Sequence, residues 1–253
     1  MGTSIQVKTE KELAIMAEGG EKLGRVKLAL KKAVKIGASA DKIESLAVSL
    51  IRQAGGEPSF KKVRGYSWAT CVNVNEGVVH GIPKAEIIFK KGDLVSVDVG
   101  MFYKGFHTDT SISLGLGVDS RTERFLEVGE KALNAAIREA RVGNRIFDIS
   151  ETIEGIVRKG GYTPVEELVG HGVGRELHED PHIPCFIRGK REESPVIPEG
   201  AVLAIEIMYT MGKKDLKIGT DGWTITTADG KIAALFEETV AVTRHGPLIL
   251  TEG

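Results

Sequence analysis

The chain has 253 residues, 42% of them hydrophobic, with 34 basic and 35 acidic side chains and a formal charge of -1. These values exclude a disordered chain and give no electrostatic ground for DNA binding. Two cysteines, Cys71 and Cys185, exclude a disulfide scaffold or a cysteine-based zinc site and fit a reducing cytosol.

The start, Met1-Gly2-Thr3-Ser4-Ile5-Gln6, has no charged-then-apolar secretory pattern, and Gln6 stands where a myristoylation signal needs Ser or Thr. No apolar stretch is long enough for a membrane span, so a cytoplasmic location is expected. Thr9 and Glu12 form a capping box that opens a helix, along which Lys27, Lys31, Lys32 and Lys35 read as a solvated basic stripe. After Gly37 the residues Ile43, Leu46, Ala47, Leu50 and Ile51 recur at helical spacing. His80 lies in a Gly- and Pro-bearing loop, followed by strands at 94–100 and 106–114 that turn at Tyr103-Lys104-Gly105. A second capping box, Ser120 and Glu123, opens the next helix; Ile149, Ile153, Ile156 and Val157 mark another, and strands are predicted at 202–209 and 232–242.

Two of these segments match at a constant offset: Gly37 with Gly143, Ile43 with Ile149, Arg52 with Arg158, Gly55 with Gly161, and Pro58 with Pro164. Chance supplies part of that, since Gly and Pro often follow helices, but the unbroken offset favours an internal duplication. The expected architecture is α+β and a single domain over 1–253, with halves of about 9–119 and 120–250 and no linker between them.

The chemistry lies in acids placed within apolar strands. Asp98 sits in Leu94 to Val99, Glu206 in Val202 to Met208, and Glu237 follows Ala233 to Phe236. An ionised carboxylate loses several kcal/mol on leaving water unless it is paired, so each needs compensation. With a turn centred on Tyr103-Lys104, Asp98 and Asp109 fall directly opposite each other, with Cβ atoms about 5 Å apart. Alternation puts His107, Asp109, Ser111 and Ser113 on one face, which is then either solvated, sharing a proton between acids, or holding cations. Divalent ions fit the last case, because they supply charge and consume carboxylate lone pairs.

Among six histidines, His171 and His178 lie in a glycine-rich run from Gly170 to Pro181, where ligands and backbone approach closely. Each of them, and His80, reads on its own as a hydrogen-bonded loop histidine. His107, His182 and His245 are expected to make surface or supporting contacts.

Taken together, His80-Gly81-Ile82-Pro83, aspartates 11 positions apart, the His171 segment, Glu206 and Phe236-Glu237 resemble the type I methionine aminopeptidases, in order and spacing and over nearly the whole chain. That resemblance implies the pita-bread fold, two pseudo-symmetric halves forming a curved antiparallel sheet covered by helices, in the short bacterial-style form. It also implies two divalent metal ions, drawn from Fe, Mn, Co or Zn, held by Asp98, Asp109, His171, Glu206 and Glu237, with Asp109 and Glu237 bridging. The implied activity is excision of N-terminal methionine from nascent polypeptides before a small second residue, with transient contact at the ribosome. In it a bridging water is activated, Glu206 is the general base, and His80 and His178 contact substrate. Tyr66, Cys71 and Trp223 form the methionine pocket. Asn73, Ile207, Leu235 and Glu238 depart from the family pattern, and Val63 and Leu177 replace pocket aromatics. The rival readings are a proline-directed aminopeptidase of the same fold and a non-enzymatic binding module that retains it.

Overall fold

The computed structural model describes residues 5–253; the reading of a signal-free start therefore lies, for residues 1–4, outside the described residues. In chain order the elements are α1 (Glu10–Ala33), α2 (Ala40–Gln53), β1 (Glu57–Pro58), a 3-10 turn (Phe60–Lys62), β2 (Thr70–Val74), β3 (Gly77–Val79), β4 (Leu94–Tyr103) and β5 (Phe106–Gly115). There follow α3 (Ser120–Glu139), α4 (Ile146–Lys159), β6 (Thr163–Pro164), β7 (Val169–Gly172), β8 (Glu179–Pro184), β9 (Val202–Thr210), β10 (Leu216–Ile218), β11 (Ile225–Thr227), β12 (Ala233–Thr243) and β13 (Gly246–Ile249). No helix among the described residues is long and apolar enough to cross a membrane.

The duplication is written in the element boundaries. Adding 106 to the bounds of α2 gives 146 and 159, those of α4, and adding it to β1 gives β6. Gly37 and Gly143, the same distance apart, turn the chain with φ of 84° and 87°. Each half packs helices on its own strands, and α1 also reaches the second half through Met16, which packs with Val202 and Ala241. Leu23, Leu30, Ile43 and Ile51 pack on Val95, Val97 and Val99, while Phe125, Ile149 and Ile153 pack on Ile205, Ile207 and Phe236.

The halves share one antiparallel sheet in the order β1-β4-β5-β12-β9-β7-β8, with β2, β6 and β13 attached at β4, β9 and β12. The middle of that order, β5 against β12, is where the halves meet. All four predicted strands are present; three extend by one to three residues at their C-terminal ends, and β12 is shifted by one residue.

Three local expectations are corrected. The hairpin turns at Lys104-Gly105, with φ of 47° and 93°, the two positive values that a type I′ turn requires and that Gly accepts without strain. Tyr103 therefore pairs with Phe106, and Asp98 lies opposite Ser111 while Asp109 lies opposite Gly100. The two aspartates share a face but are diagonal neighbours, one step further apart than the direct pair expected. The cap of α3 is Asp119, whose carboxylate accepts the Thr122 N–H at 2.8 Å, so the Ser120 and Glu123 box does not form. By contrast Thr9 and Glu12 cap α1 reciprocally. Lys27 leaves the solvated stripe: it is buried and ion-paired with Glu238, while Lys31, Lys32 and Lys35 are exposed.

Phe125 of α3 is fully buried, with its ring centroid 4.2 Å from Tyr209 and 4.8 Å from Tyr162. Phe125→Ala is expected to lower the unfolding free energy by about 3–5 kcal/mol, because the cavity adds to the lost transfer energy. Urea unfolding of wild type and variant measures this; a loss below about 1 kcal/mol would mean that the neighbouring rings collapse into the space.

Candidate metal centre and substrate pocket

The cross-strand register builds the centre. Cys71 of β2 pairs with Asp98 of β4, Asp98 with Ser111 of β5, Ser111 with Glu237 of β12, and Glu237 with Glu206 of β9. These five side chains form a row across one face of the sheet. A neighbouring row holds Asp109, whose backbone N–H donates to Thr239 Oγ1 at 2.9 Å. It continues from Thr239 through Ala204 to His171 of β7. Four carboxylates and one imidazole thus converge from five strands, and the burial that made these acids anomalous in sequence follows from their inward positions.

Asp109, His171 and Glu237 are buried and bring ligand atoms within 4.8 Å of one another. Asp98 and Glu206 are partly buried and line the same cavity. His171 Nδ1 lies 2.9 Å from the Gly172 carbonyl, so Nδ1 carries the proton and Nε2 is left with a free lone pair. That Nε2 is 3.5 Å from Glu206 Oε1. Burial holds the carboxyl of Asp98 up at about 7. Burial, together with the charges of the other acids, raises Asp109, Glu206 and Glu237 well above the usual carboxylate range. Burial pushes His171 down to about 3, with His178 adding to the shift. Asp98 Oδ1 and Glu237 Oε1 are enclosed and have no hydrogen-bond partner among the described residues. Clustered acids with orphaned oxygens and an imidazole lone pair aimed at them fit a divalent cation with mixed oxygen and nitrogen ligands.

Beside this row lies a cavity of about 160 Å³. Its apolar wall is Phe60, Tyr66, Cys71 and Leu177, backed by Val63, Trp68 and Trp223. Tyr66 stacks edge-on against Trp223 at 5.1 Å and Trp68 at 5.3 Å, and its hydroxyl donates to the Thr70 carbonyl at 2.9 Å. All three pocket residues expected from sequence are present, as are Val63 and Leu177. Phe60 was not foreseen, because it lies in a short 3-10 turn without periodicity. Glu44 was also missed: its carboxylate accepts Ala69 N–H at 2.8 Å and Thr70 N–H at 2.9 Å, and so fixes the backbone from which the pocket strand starts.

His80 lies at the cavity mouth with φ of 57°, a left-handed conformation that non-glycine residues hold only when their surroundings enforce it. The enforcement comes from Gly81, whose N–H donates to Asn73 Oδ1 at 3.0 Å. A Cβ at Gly81 would lie 2.2 Å from the Val72 carbonyl oxygen, so no other residue fits there. Asn73, one of the departures, is thereby the anchor of the His80 loop. His178 stands at the exposed rim, its ring centroid 4.5 Å from that of His171. Of the other departures, Ile207 packs into the core behind the sheet and Glu238 faces α1. Leu235 pairs with Met208 beside the Glu237 row. Among the unassigned histidines, His107 is buried and bonds Ser59 Oγ through Nδ1 at 2.7 Å, a supporting contact as expected. His182 pairs with His171 across β8 and is exposed, like His245.

Residues 14–244 match the model of metallopeptidase family M24. The chain belongs to this family. The family and the buried Asp, His and Glu cluster make it a metal-dependent peptidase and hydrolase with a divalent-metal site. Methionine aminopeptidase 1 of Bacillus subtilis is 40% identical over 245 residues, 96% of this chain and 98% of that protein. Methionine aminopeptidase of Clostridium perfringens is 39% identical over 248 residues, 98% of each. The crystal structure of methionine aminopeptidase from Thermotoga maritima has a TM-score of 0.95 at 38% identity, covering 99% of this chain and 100% of that one. Prolidase from Pyrococcus furiosus has a TM-score of 0.77 at 22% identity and is covered over 65% of its length; this likeness is one of fold alone. The fold is the pita-bread fold implied by the sequence resemblance.

Proposed function

We propose that the protein is a methionine aminopeptidase that removes the N-terminal methionine of nascent polypeptides, acting as one catalytic domain over 1–253 with halves of about 9–119 and 120–250. The observation that carries this reading is the opening of an aromatic-walled pocket directly onto the carboxylate row. Asp98, Asp109, His171, Glu206 and Glu237 are the residues that would hold two divalent ions, Fe, Mn, Co or Zn by ligand type. Bound ions supply positive charge that acidifies water and polarises the scissile carbonyl.

Around that charge the chain's own groups divide the work. Glu206, which burial and the Asp98 charge raise well above the usual carboxylate range while the site holds no ion, is the base that accepts the proton of the attacking water. His178, at the rim, donates to the oxygen that gains negative charge, and His80 meets the scissile amide nitrogen. Burial lowers the His80 imidazole below its ordinary value, so at neutral pH it is uncharged, with one N–H to offer and one nitrogen to receive a proton. Tyr66, Cys71, Trp223 and Phe60 take the thioether, where sulfur–aromatic contact is favourable. The substrates imply a cytoplasmic setting with transient contact at the ribosome.

The test is hydrolysis of Met-Ala-Ser beside Leu-Ala-Ser and Ala-Pro-Ser after chelation and addition of each metal. Cleavage of Met-Ala-Ser at least about tenfold faster than the others is expected, in the range that one hydrophobic pocket supplies. Met-Gly peptides should outpace Met-Arg peptides, because the His80 loop and the strands crowd the space beyond the bond. Preference for Ala-Pro-Ser would install the proline-directed reading, equal rates on Met-Gly and Met-Arg would remove the crowding, and no hydrolysis with any metal would favour the binding module.

A further inference from the structure

The loop that carries His178 is tied down from outside the site. Lys8, in the segment entering α1, has a side chain only 1% exposed, and its ammonium forms an ion pair with the carboxylate of Glu179, itself 4% exposed and the residue directly after His178. The Lys8 backbone N–H donates to the Gly200 carbonyl at 2.8 Å, and Lys8 Nζ also donates to the Gln6 carbonyl at 3.3 Å. The second oxygen of Glu179 accepts the Glu176 N–H at 3.3 Å. Four residues beyond Lys8, Glu12 forms an ion pair with Arg175. On the inner side, the Gly174 carbonyl accepts the His107 N–H at 2.7 Å. A Cβ at Gly174 would lie 2.3 Å from Lys8 Cε. Residues 174–179 are therefore gripped between β5 and the N-terminal segment, with His178 projecting from the gripped loop.

A buried lysine–glutamate pair is a poor device for stability alone, since apolar side chains of like volume usually serve as well or better. What an ion pair adds is a single geometry: the ammonium satisfies one carboxylate at one place, whereas apolar packing tolerates sliding. Neither side chain lines the central cavity.

We propose that Lys8 and Glu179 are positioning residues for His178, the N-terminal segment acting as an external clamp that holds its imidazole where the reacting carbonyl oxygen will lie. This rests on the reading of His178 as a substrate-contacting group. A misplacement of about 1 Å in such a group is enough to cost about 100-fold in rate.

The experiment measures kcat, KM, bound metal and thermal midpoint on the full chain for Lys8→Met, His178→Ala, the two together, and Lys8→Met with Glu179→Met. Lys8→Met is expected to lower kcat about 10- to 100-fold, with KM and metal content close to wild type. In the His178→Ala background it should cost nothing further, because its effect passes through that imidazole. Lys8→Met with Glu179→Met should recover the thermal midpoint, having no unpaired buried charge, yet keep the low kcat. An additive loss in the His178→Ala background, or a kcat that returns with the thermal midpoint, would leave Lys8 a structural residue only. Should Lys8→Met fail to fold, the apolar pair with and without His178→Ala carries the same comparison. If His178→Ala itself retains wild-type kcat/KM, the role of His178 falls and the clamp with it, an outcome read from that variant alone.

Discussion

His171→Ala is expected to empty the metal centre, whereas His80→Ala and His178→Ala are expected to retain metal and lose about 10²- to 10⁴-fold in kcat/KM, the usual cost of a transition-state hydrogen bond or proton donor. The difference follows from position. His171 is buried on β7, its Nδ1 is committed to the Gly172 carbonyl, and its Nε2 faces the carboxylate row. His80 and His178 come from two separate loops that line the same cavity, the first partly buried and the second exposed. Neither is grouped with Asp109, His171 and Glu237, whose ligand atoms lie within 4.8 Å of one another. Metal analysis of the three purified variants, beside kcat and KM, decides the matter. Loss of metal in His80→Ala or His178→Ala would merge the two classes of histidine, and unchanged kcat/KM in either would strip that residue of its role.

Removal of the metal should abolish turnover while leaving the chain largely folded, and should make its stability depend on pH. Two cores, one behind each half of the sheet, are built without any ligand residue, so the fold does not rest on the ion as a zinc finger does. The carboxylates respond differently. In the metal-free protein burial raises Asp98 from 3.8 to about 7 and lifts Asp109, Glu206 and Glu237 well above their usual range. A carboxyl whose folded value is raised binds its proton more tightly folded than unfolded. For Asp98 that contribution is therefore full below about pH 4 and is lost as pH rises through about 7, and the other three act in the same direction. The thermal midpoint of chelated protein should fall across that window, and the increment restored by a divalent ion should grow with pH. Circular dichroism melts from about pH 5 to 8, with and without ion, test this. A flat metal-free profile would contradict the account, as would global unfolding on chelation or full activity in excess chelator.

How much of this was legible in the sequence depended on whether the signal was periodic, local or tertiary. Strands with acids at odds with their neighbours, such as Glu206 among Val202 to Met208, announced both an element and a site, because alternation and burial conflict there. The duplication was legible because equal offsets survive in Gly and Pro, whose backbone demands are strict. Turn position was less secure: Tyr103, Lys104 and Gly105 all suit a hairpin, and moving the turn by one residue shifted the partner of Asp98 from Asp109 to Ser111. Lys27 looked like one more exposed lysine because its partner, Glu238, lies 211 positions away. Lys8 and Glu179, 171 positions apart, were hidden for the same reason. Phe60 belongs to a short 3-10 turn, where pattern has least to report, and Glu44, on α2, was hidden because its partners Ala69 and Thr70 lie 25 and 26 positions away.

The seam between β5 and β12 has a consequence for the order in which the protein comes into being. Ser111 and Glu237, paired across it, are 126 positions apart, since 237 minus 111 is 126. The β4–β5 hairpin, with Asp98 and Asp109, closes through a two-residue turn and is a local event; the strand that completes the centre lies near the far end of the chain. Contacts of such separation form late, after the entropy of closing a long loop has been met. On the ribosome the first two carboxylates leave the exit tunnel well over one hundred residues before Glu237. Through that interval His171 of β7 and Glu206 of β9 also emerge, but on the proposed ligand set the site stays incomplete until β12 is made, so metal capture is expected to follow the pairing of β12 with β5 and β9.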